Sequence, residues 1–330
     1  MGHVSPVGVG IVSVRDIQRQ IAMVLPNARS AGAEGTLELA SQHKDEPRIK
    51  TATLIEGSLM RAFHVGESDA AHFVAFLDGK QRSHVVSYLG SKTLSVGVAA
   101  AVVRERCESR LCTWKSAVCE WRVYAPRILI QDSEWTALSL LYGSSLVDTS
   151  ADVKTGSAHP FALRDATVKR VNEHRDELER QLAEQWCTTQ LQPLFLDGGI
   201  RSSRIVAESP WAVGVIKSHN TLYVEGGAFE TVMGLGVRER SSVFRIESRT
   251  RPAVASWYLR MRNAMNRDPM WGLVRVEVAL LAGPKMSRRA DDVSRWILAE
   301  ASPLALPDGR WDKMVYGVRD CEEYLRALGL

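Results

Sequence analysis

The chain has 330 residues, 45% of them hydrophobic and 24% charged, enough to bury a full core as one large domain or two small ones. No apolar run reaches membrane-spanning length, and no basic segment near the N-terminus leads into a long apolar one, so neither a membrane-embedded nor a secreted protein is expected. Five cysteines without a Cys-x-x-Cys pair argue against a zinc site or disulfide framework and for a reducing cytoplasm, while the net charge of +4 permits nucleic-acid binding without requiring it.

In chain order, residues 1–50 read as an accessory, partner-binding region, and residues 51–330 as the main domain. The first segment carries a helix over Val14–Val24, a turn over 30–35 and a polar run over 41–50. Ile17, Ile21, Val24 and Leu25 form an apolar stripe that must bury itself on the body or on a partner. The apolar run 73–77 predicts a buried strand that stops at Asp78-Gly79. Strands are expected next over 84–89, 94–103 and 116–123, with Gly90-Ser91 as the first turn. Val168, Val171, Leu178, Leu182 and Trp186 recur at helical spacing and predict a long helix over 163–186. A second buried strand, 193–196, again ends on Asp-Gly, at Asp197-Gly198-Gly199. Further strands are expected over 211–216, 222–224 and 273–281, with closing helices over 288–300 and 308–315.

Two buried strands that each end on Asp-Gly carry the chemical argument. A carboxylate at the C-terminal end of such a strand faces the crevice where α/β sheets bind ligands. Asp78 ends the first strand, a meander and a long helix follow, and Asp197 ends the next strand. That succession is the RNase H plan, in which the first strand, the first helix and the fourth strand each supply an acid. Clustered carboxylates repel one another unless they hold hard divalent cations, and two such ions suit phosphodiester hydrolysis. Glu179, bordering the apolar stripe of the helix, is the expected third acid; Glu173, Glu177 and Glu184 lie further round or later. Lys217 follows a strand and could neutralise a scissile phosphate. Arg82, Arg201, Arg204 and Lys217 follow the acid-bearing strands and could track a nucleic-acid backbone.

Phe76-Leu77-Asp78-Gly79, Leu178-Glu179-Arg180, Leu194-Phe195-Leu196-Asp197-Gly198-Gly199 and the segment 212–219 together resemble the NurA nucleases. Segments 257–260 and 272–277 resemble later strands of that family, and the similarity runs from about residue 70 to the C-terminus. The resemblance implies an RNase H-like mixed sheet flanked by helices and a dimeric, manganese- or magnesium-dependent deoxyribonuclease with two ions. It further implies work beside a HerA-like hexameric ATPase in DNA end resection or phage defence. It matches Asp78, Glu179 and Asp197 to the metal-binding acids and Lys217 to the family's lysine. The family also carries an acid or histidine near the C-terminus; Asp312 is the choice here, with Asp308, Asp292 and Asp291 as alternatives. Lys80 stands where the family commonly has serine. Two other readings stay open: an RNase H-like nuclease acting on RNA, and a non-catalytic subunit of an ATPase complex.

Overall fold

The computed structural model describes residues 13–31, 47–67, 72–108, 110–152, 159–301 and 313–329. In chain order the strands are β1 (Arg29–Ser30), β2 (Arg48–Ile49), β3 (Thr53–Leu54), β4 (Ala62–His64), β5 (Ala75–Leu89), β6 (Lys92–Cys107), β7 (Arg110–Thr113) and β8 (Val118–Ala125). They continue as β9 (Leu146–Asp148), β10 (Leu194–Asp197), β11 (Ala212–Ile216), β12 (Thr221–Leu222), β13 (Glu239–Ser241), β14 (Phe244–Ile246), β15 (Val254–Arg260) and β16 (Leu273–Val278). The α-helices are α1 (Val14–Val24), α2 (Asp132–Tyr142), α3 (Pro160–Thr189), α4 (Arg204–Glu208), α5 (Gly226–Met233), α6 (Pro284–Ala301) and α7 (Tyr316–Ala327).

Fourteen strands join in one mixed sheet along the path β3-β14-β15-β16-β11-β10-β5-β6-β8-β9, with β1, β4, β7 and β13 attached at its sides. At its centre β5, β6 and β8 form an antiparallel meander, and after α3 the chain returns as β10, parallel to β5, with β11 parallel to β10. One face is covered by α3, whose Leu178, Leu182 and Trp186 pack on Ala75, Leu77, Leu194 and Leu196. The other is covered by α6 and α7, whose Val293, Ile297, Val318, Cys321 and Leu325 share a core with Phe76, Phe195, Val213 and Trp257. Both faces being covered, the central strands read as unbroken apolar runs instead of alternating. The architecture is mixed α/β, a large sheet flanked by helices.

Several expectations are corrected. The strand that begins near Phe73 does not stop at Asp78: β5 runs on to Leu89, bulged between Val85 and Ser87, and absorbs the separate strand expected over 84–89. The polar stretch stays in the sheet because β6 pairs along it, with Gly79 opposite Ala101, Lys80 opposite Ala100 and Arg82 opposite Val98. Backbone hydrogen bonding to a long neighbour holds this segment extended where its side chains gave no strand signal. α2 was not expected at all. The closing helix is α7, while residues 313–315 of the stretch expected to be helical are not α-helix; Asp308 and Asp312 lie outside the described residues.

Residues 1–50, where described, are built into the body. Ile17, Ile21 and Leu25 of the N-terminal stripe are buried among Val86, Leu89, Leu94, Val123, Leu138 and Tyr142. Gln18 Nε2 donates to the carbonyls of Ala31 (2.8 Å) and Val86 (3.1 Å). β1 pairs with β5, and β2 with β12. The face of α1 expected to meet either the body or a partner is therefore spent on its own chain. Among the described residues no helix is long and apolar enough to cross a membrane.

Candidate active site

Strand register brings the first two acids together. β10 and β5 pair in parallel, Leu194 beside Ala75, Phe195 beside Phe76 and Leu196 beside Leu77; Asp197 and Asp78 are the next residue of each strand and line one cavity. Adjacent strands lie about 4.8 Å apart, and the two-residue period turns both carboxylates to the face that carries Phe76 and Phe195. β10 ends at Asp197 while β5 continues, so the sheet opens here into a cleft. Asp78 is only 8% exposed, and its Oδ1 accepts the Gly79 N–H at 2.9 Å.

Glu179 reaches this edge from α3, on the opposite face. A β-carbon on Gly79 would lie 2.3 Å from Glu179 Oε1 and 2.9 Å from Arg175 Cγ, so the glycine gives the helix side chain its place. Its purpose is close approach, not the sharp turn expected from Asp-Gly. Arg175 Nε lies 3.2 Å from Glu179 Oε1, one turn away on the same helix. A fourth acid comes from α7. Gly317 lets that helix sit directly on the Phe76 ring, where a β-carbon would come within 2.2 Å, and Cys321 Sγ donates to the Phe76 carbonyl at 3.4 Å. Glu322, next to buried Cys321, then lines a cavity of 550 Å³ with Asp78, Glu179, Asp197 and Lys217.

The electrostatics are those of crowded carboxylates. Burial, with Asp197 and Glu179 close by, pushes the Asp78 carboxyl well above the usual carboxylate range, and the Lys217 ammonium offsets part of this. Burial pushes Glu179 up to about 7 against the pull of Arg175. Lys217 Nζ lies 2.8 Å from Asp197 Oδ2; it follows β11, whose pairing sets Val215 beside Asp197. As the side chains stand, no group of three or more His, Cys, Asp or Glu among the described residues is arranged to hold a metal ion. The donor chemistry nonetheless fits a hard divalent cation: four carboxylates from four elements face one cavity without a thiolate or imidazole, and burial and crowding disfavour ionisation of Asp78 unless a cation joins it.

Of the sequence-derived candidates, Asp78, Glu179, Asp197 and Lys217 are brought together. Arg82 lies on the exposed side of β5, beyond Lys80 and away from the lining of this cavity. Arg201 and Arg204 line a neighbouring groove past the Gly198-Gly199 turn. Asp312 lies outside the described residues, and the alternatives belong elsewhere: Asp291 pairs with Arg240, and Asp292 with Arg295. Glu322 was missed. The spacing of Val318, Cys321 and Leu325 marks a helix at that point, and would have placed the acid at the edge of its buried face. Glu277 was not singled out either; it is 3% exposed, lies 2.5 Å from Arg275 and accepts the Ile200 N–H at 3.1 Å, bracing the turn that follows Asp197. No protein-family model and no curated protein matches this chain.

Proposed function

We propose that this chain is a metal-dependent deoxyribonuclease of the NurA type with an RNase H-like core. The observation that carries the proposal is Asp78 and Asp197 side by side on adjacent parallel strands, with Glu179 entering from the intervening helix. The strand order β8-β6-β5-β10-β11, a meander followed by two parallel strands, supports the RNase H-like assignment. Asp78, Glu179, Asp197 and Glu322 would hold manganese or magnesium, as two ions. Bound there, such cations activate water and stabilise the leaving oxygen of a phosphodiester. Asp78 and Asp197 come from sheet backbone, so the chain holds them pre-positioned; Glu179 and Glu322 come from helices and can adjust. Lys217 relieves Asp197 in the free protein and offers its ammonium to a phosphoryl oxygen once that carboxylate is otherwise engaged. Assembly as a homodimer with a HerA-like hexameric ATPase belongs to the same proposal.

A second reading, a non-catalytic subunit of an ATPase complex, draws on the ion pairs Lys217–Asp197 and Arg175–Glu179, which already satisfy two of the acids. One experiment separates them. Chelated protein is supplied in turn with manganese, magnesium and zinc, and digestion of single-stranded DNA, duplex DNA and RNA is followed. Manganese or magnesium should restore DNA cleavage, zinc should not, and Asp78→Asn and Asp197→Asn should each abolish it. Absence of metal-dependent cleavage, or cleavage by either variant at the parent rate, would overturn the proposal.

A further inference from the structure

The acid cleft has two neighbouring cavities. Glu179, Asp197, Gly198 and Gly199 line both the 550 Å³ cavity and a second one of 450 Å³ on the other side of the Asp197 turn. Arg201, Ser202 and Arg251 in turn line both that second cavity and a groove of 1020 Å³. The three spaces are therefore neighbours with shared walls; the acid cavity sets four carboxylates beside Lys80, Arg175, Lys217 and Arg326, whereas the far groove is predominantly basic. The far groove is walled by Arg201, Arg204, Arg249 and Arg251 against one carboxylate, Glu208.

The arginines differ in how far their charge is already answered. Arg204 lies 2.7 Å from Glu208, both exposed, and is the partly neutralised member. Arg201 donates to uncharged acceptors, the Pro252 carbonyl at 2.9 Å and Ser248 Oγ at 3.2 Å. Those two bonds leave its positive charge in place and tie the β14–β15 loop to the turn after Asp197. The same loop carries Arg249 and Arg251, both exposed and without a carboxylate partner among the described residues. Its backbone is braced by the Arg251 N–H on Ser248 Oγ at 3.1 Å. Between the arginines and the acids, Tyr223 lines the middle cavity with the Arg275 guanidinium 4.9 Å from its ring centre.

We infer that the groove of Arg201, Arg249 and Arg251 is a phosphate-backbone site that grips a polynucleotide beside the carboxylate cluster. Fixed cations bind a polyanion by releasing its condensed counterions; at the acid cluster Lys217 and Arg175 are already paired with Asp197 and Glu179, whereas the arginines of the groove answer no acid of the cluster. A groove apart from the cluster lets the chain hold the polymer with cations that none of those acids engages. The choice of a polynucleotide over another polyphosphate rests on the nuclease reading; the preference of the groove for phosphate does not.

The test is binding, measured on the full chain in chelator so that cleavage cannot intervene. Fluorescence anisotropy of a labelled 30-nucleotide single strand is titrated at several salt concentrations, with the matching duplex in parallel to show which form fills the groove. Arg249→Ala/Arg251→Ala should raise Kd roughly tenfold and lower the slope of log Kd against log salt by about two, one for each lost phosphate contact. Arg249→Lys/Arg251→Lys should restore the slope. Both side chains are exposed, so an unchanged unfolding midpoint is expected and is checked on the same samples. Parent-like affinity and slope in the alanine variant, or no binding of either nucleic acid by the parent, overturns the groove. Manganese-dependent cleavage by the parent is scored separately. Cleavage with unaltered binding in the variant sinks the groove alone, and weakened binding in the variant without parental cleavage sinks the nuclease reading alone.

Discussion

Gly79→Ala asks whether Glu179 belongs to the site. A methyl group at this position would lie 2.3 Å from Glu179 Oε1. Ordinary contacts need about 3.5 Å, so the carboxylate must retreat by roughly 1 Å. It sits at the end of a flexible side chain beside an open cleft and can move at little cost, while Arg175 Cγ, 2.9 Å from the same methyl, must give by about half an ångström. Alanine also restricts the unfolded chain more than glycine does, so net stability should change by less than about 1 kcal/mol. A 1 Å displacement of a metal-holding acid, by contrast, should lower turnover on the order of 100-fold. Gly317→Ala is the contrasting control. There the methyl would meet the buried Phe76 ring at 2.2 Å, a rigid group packed on every side, and overpacking of that kind costs about 1–3 kcal/mol. Thermal unfolding and the initial rate of manganese-dependent cleavage, measured on both variants, give the answer. Full activity in Gly79→Ala, or a stability loss matching that of Gly317→Ala, would refute the reasoning.

Three further outcomes are expected. Glu179 is raised from 4.5 to about 7 in the fold, so the stability it contributes is present below pH 4.5 and lost as pH rises towards 7, by about 3 kcal/mol at about 1.4 kcal/mol per pH unit; Glu179→Gln in chelator should flatten that fall in a denaturant series across pH 4–8. Glu322→Gln should weaken manganese binding by calorimetry and lower cleavage while leaving the unfolding midpoint in place, because the residue lines the cavity and is not part of the core. Ile21→Ala, at a fully buried position, should cost about 2–5 kcal/mol in urea unfolding; a loss below about 0.5 kcal/mol would restore the idea that α1 is a detachable, partner-facing element.

Much of the site was legible because its signals are local. The apolar runs before Asp78 and Asp197 announce strands covered on both faces, the period of Val168 to Trp186 announces α3, and Gly90-Ser91 announces the turn between β5 and β6. What stayed hidden depends on partners far along the chain. β5 continues past Asp78 because β6 supplies its hydrogen bonds, and no property of segment 78–83 encodes that neighbour. Gly79 looked like a turn residue, and only the approach of α3, a hundred residues later, reveals it as the floor under Glu179. Glu322 is an unremarked surface acid until Gly317 seats α7 on Phe76. The amphipathic stripe of α1 specified that something would cover it, while the choice between its own body and a partner rested on the shape of a core assembled from β5, β6, β8 and α2. Periodicity and composition determined the apolar strands that lead into Asp78 and Asp197 and the buried faces of α1 and α3; the register of β10 on β5 and the docking of α3 and α7 decided which acids meet, since convergence depends on packing between segments that sequence spacing does not record.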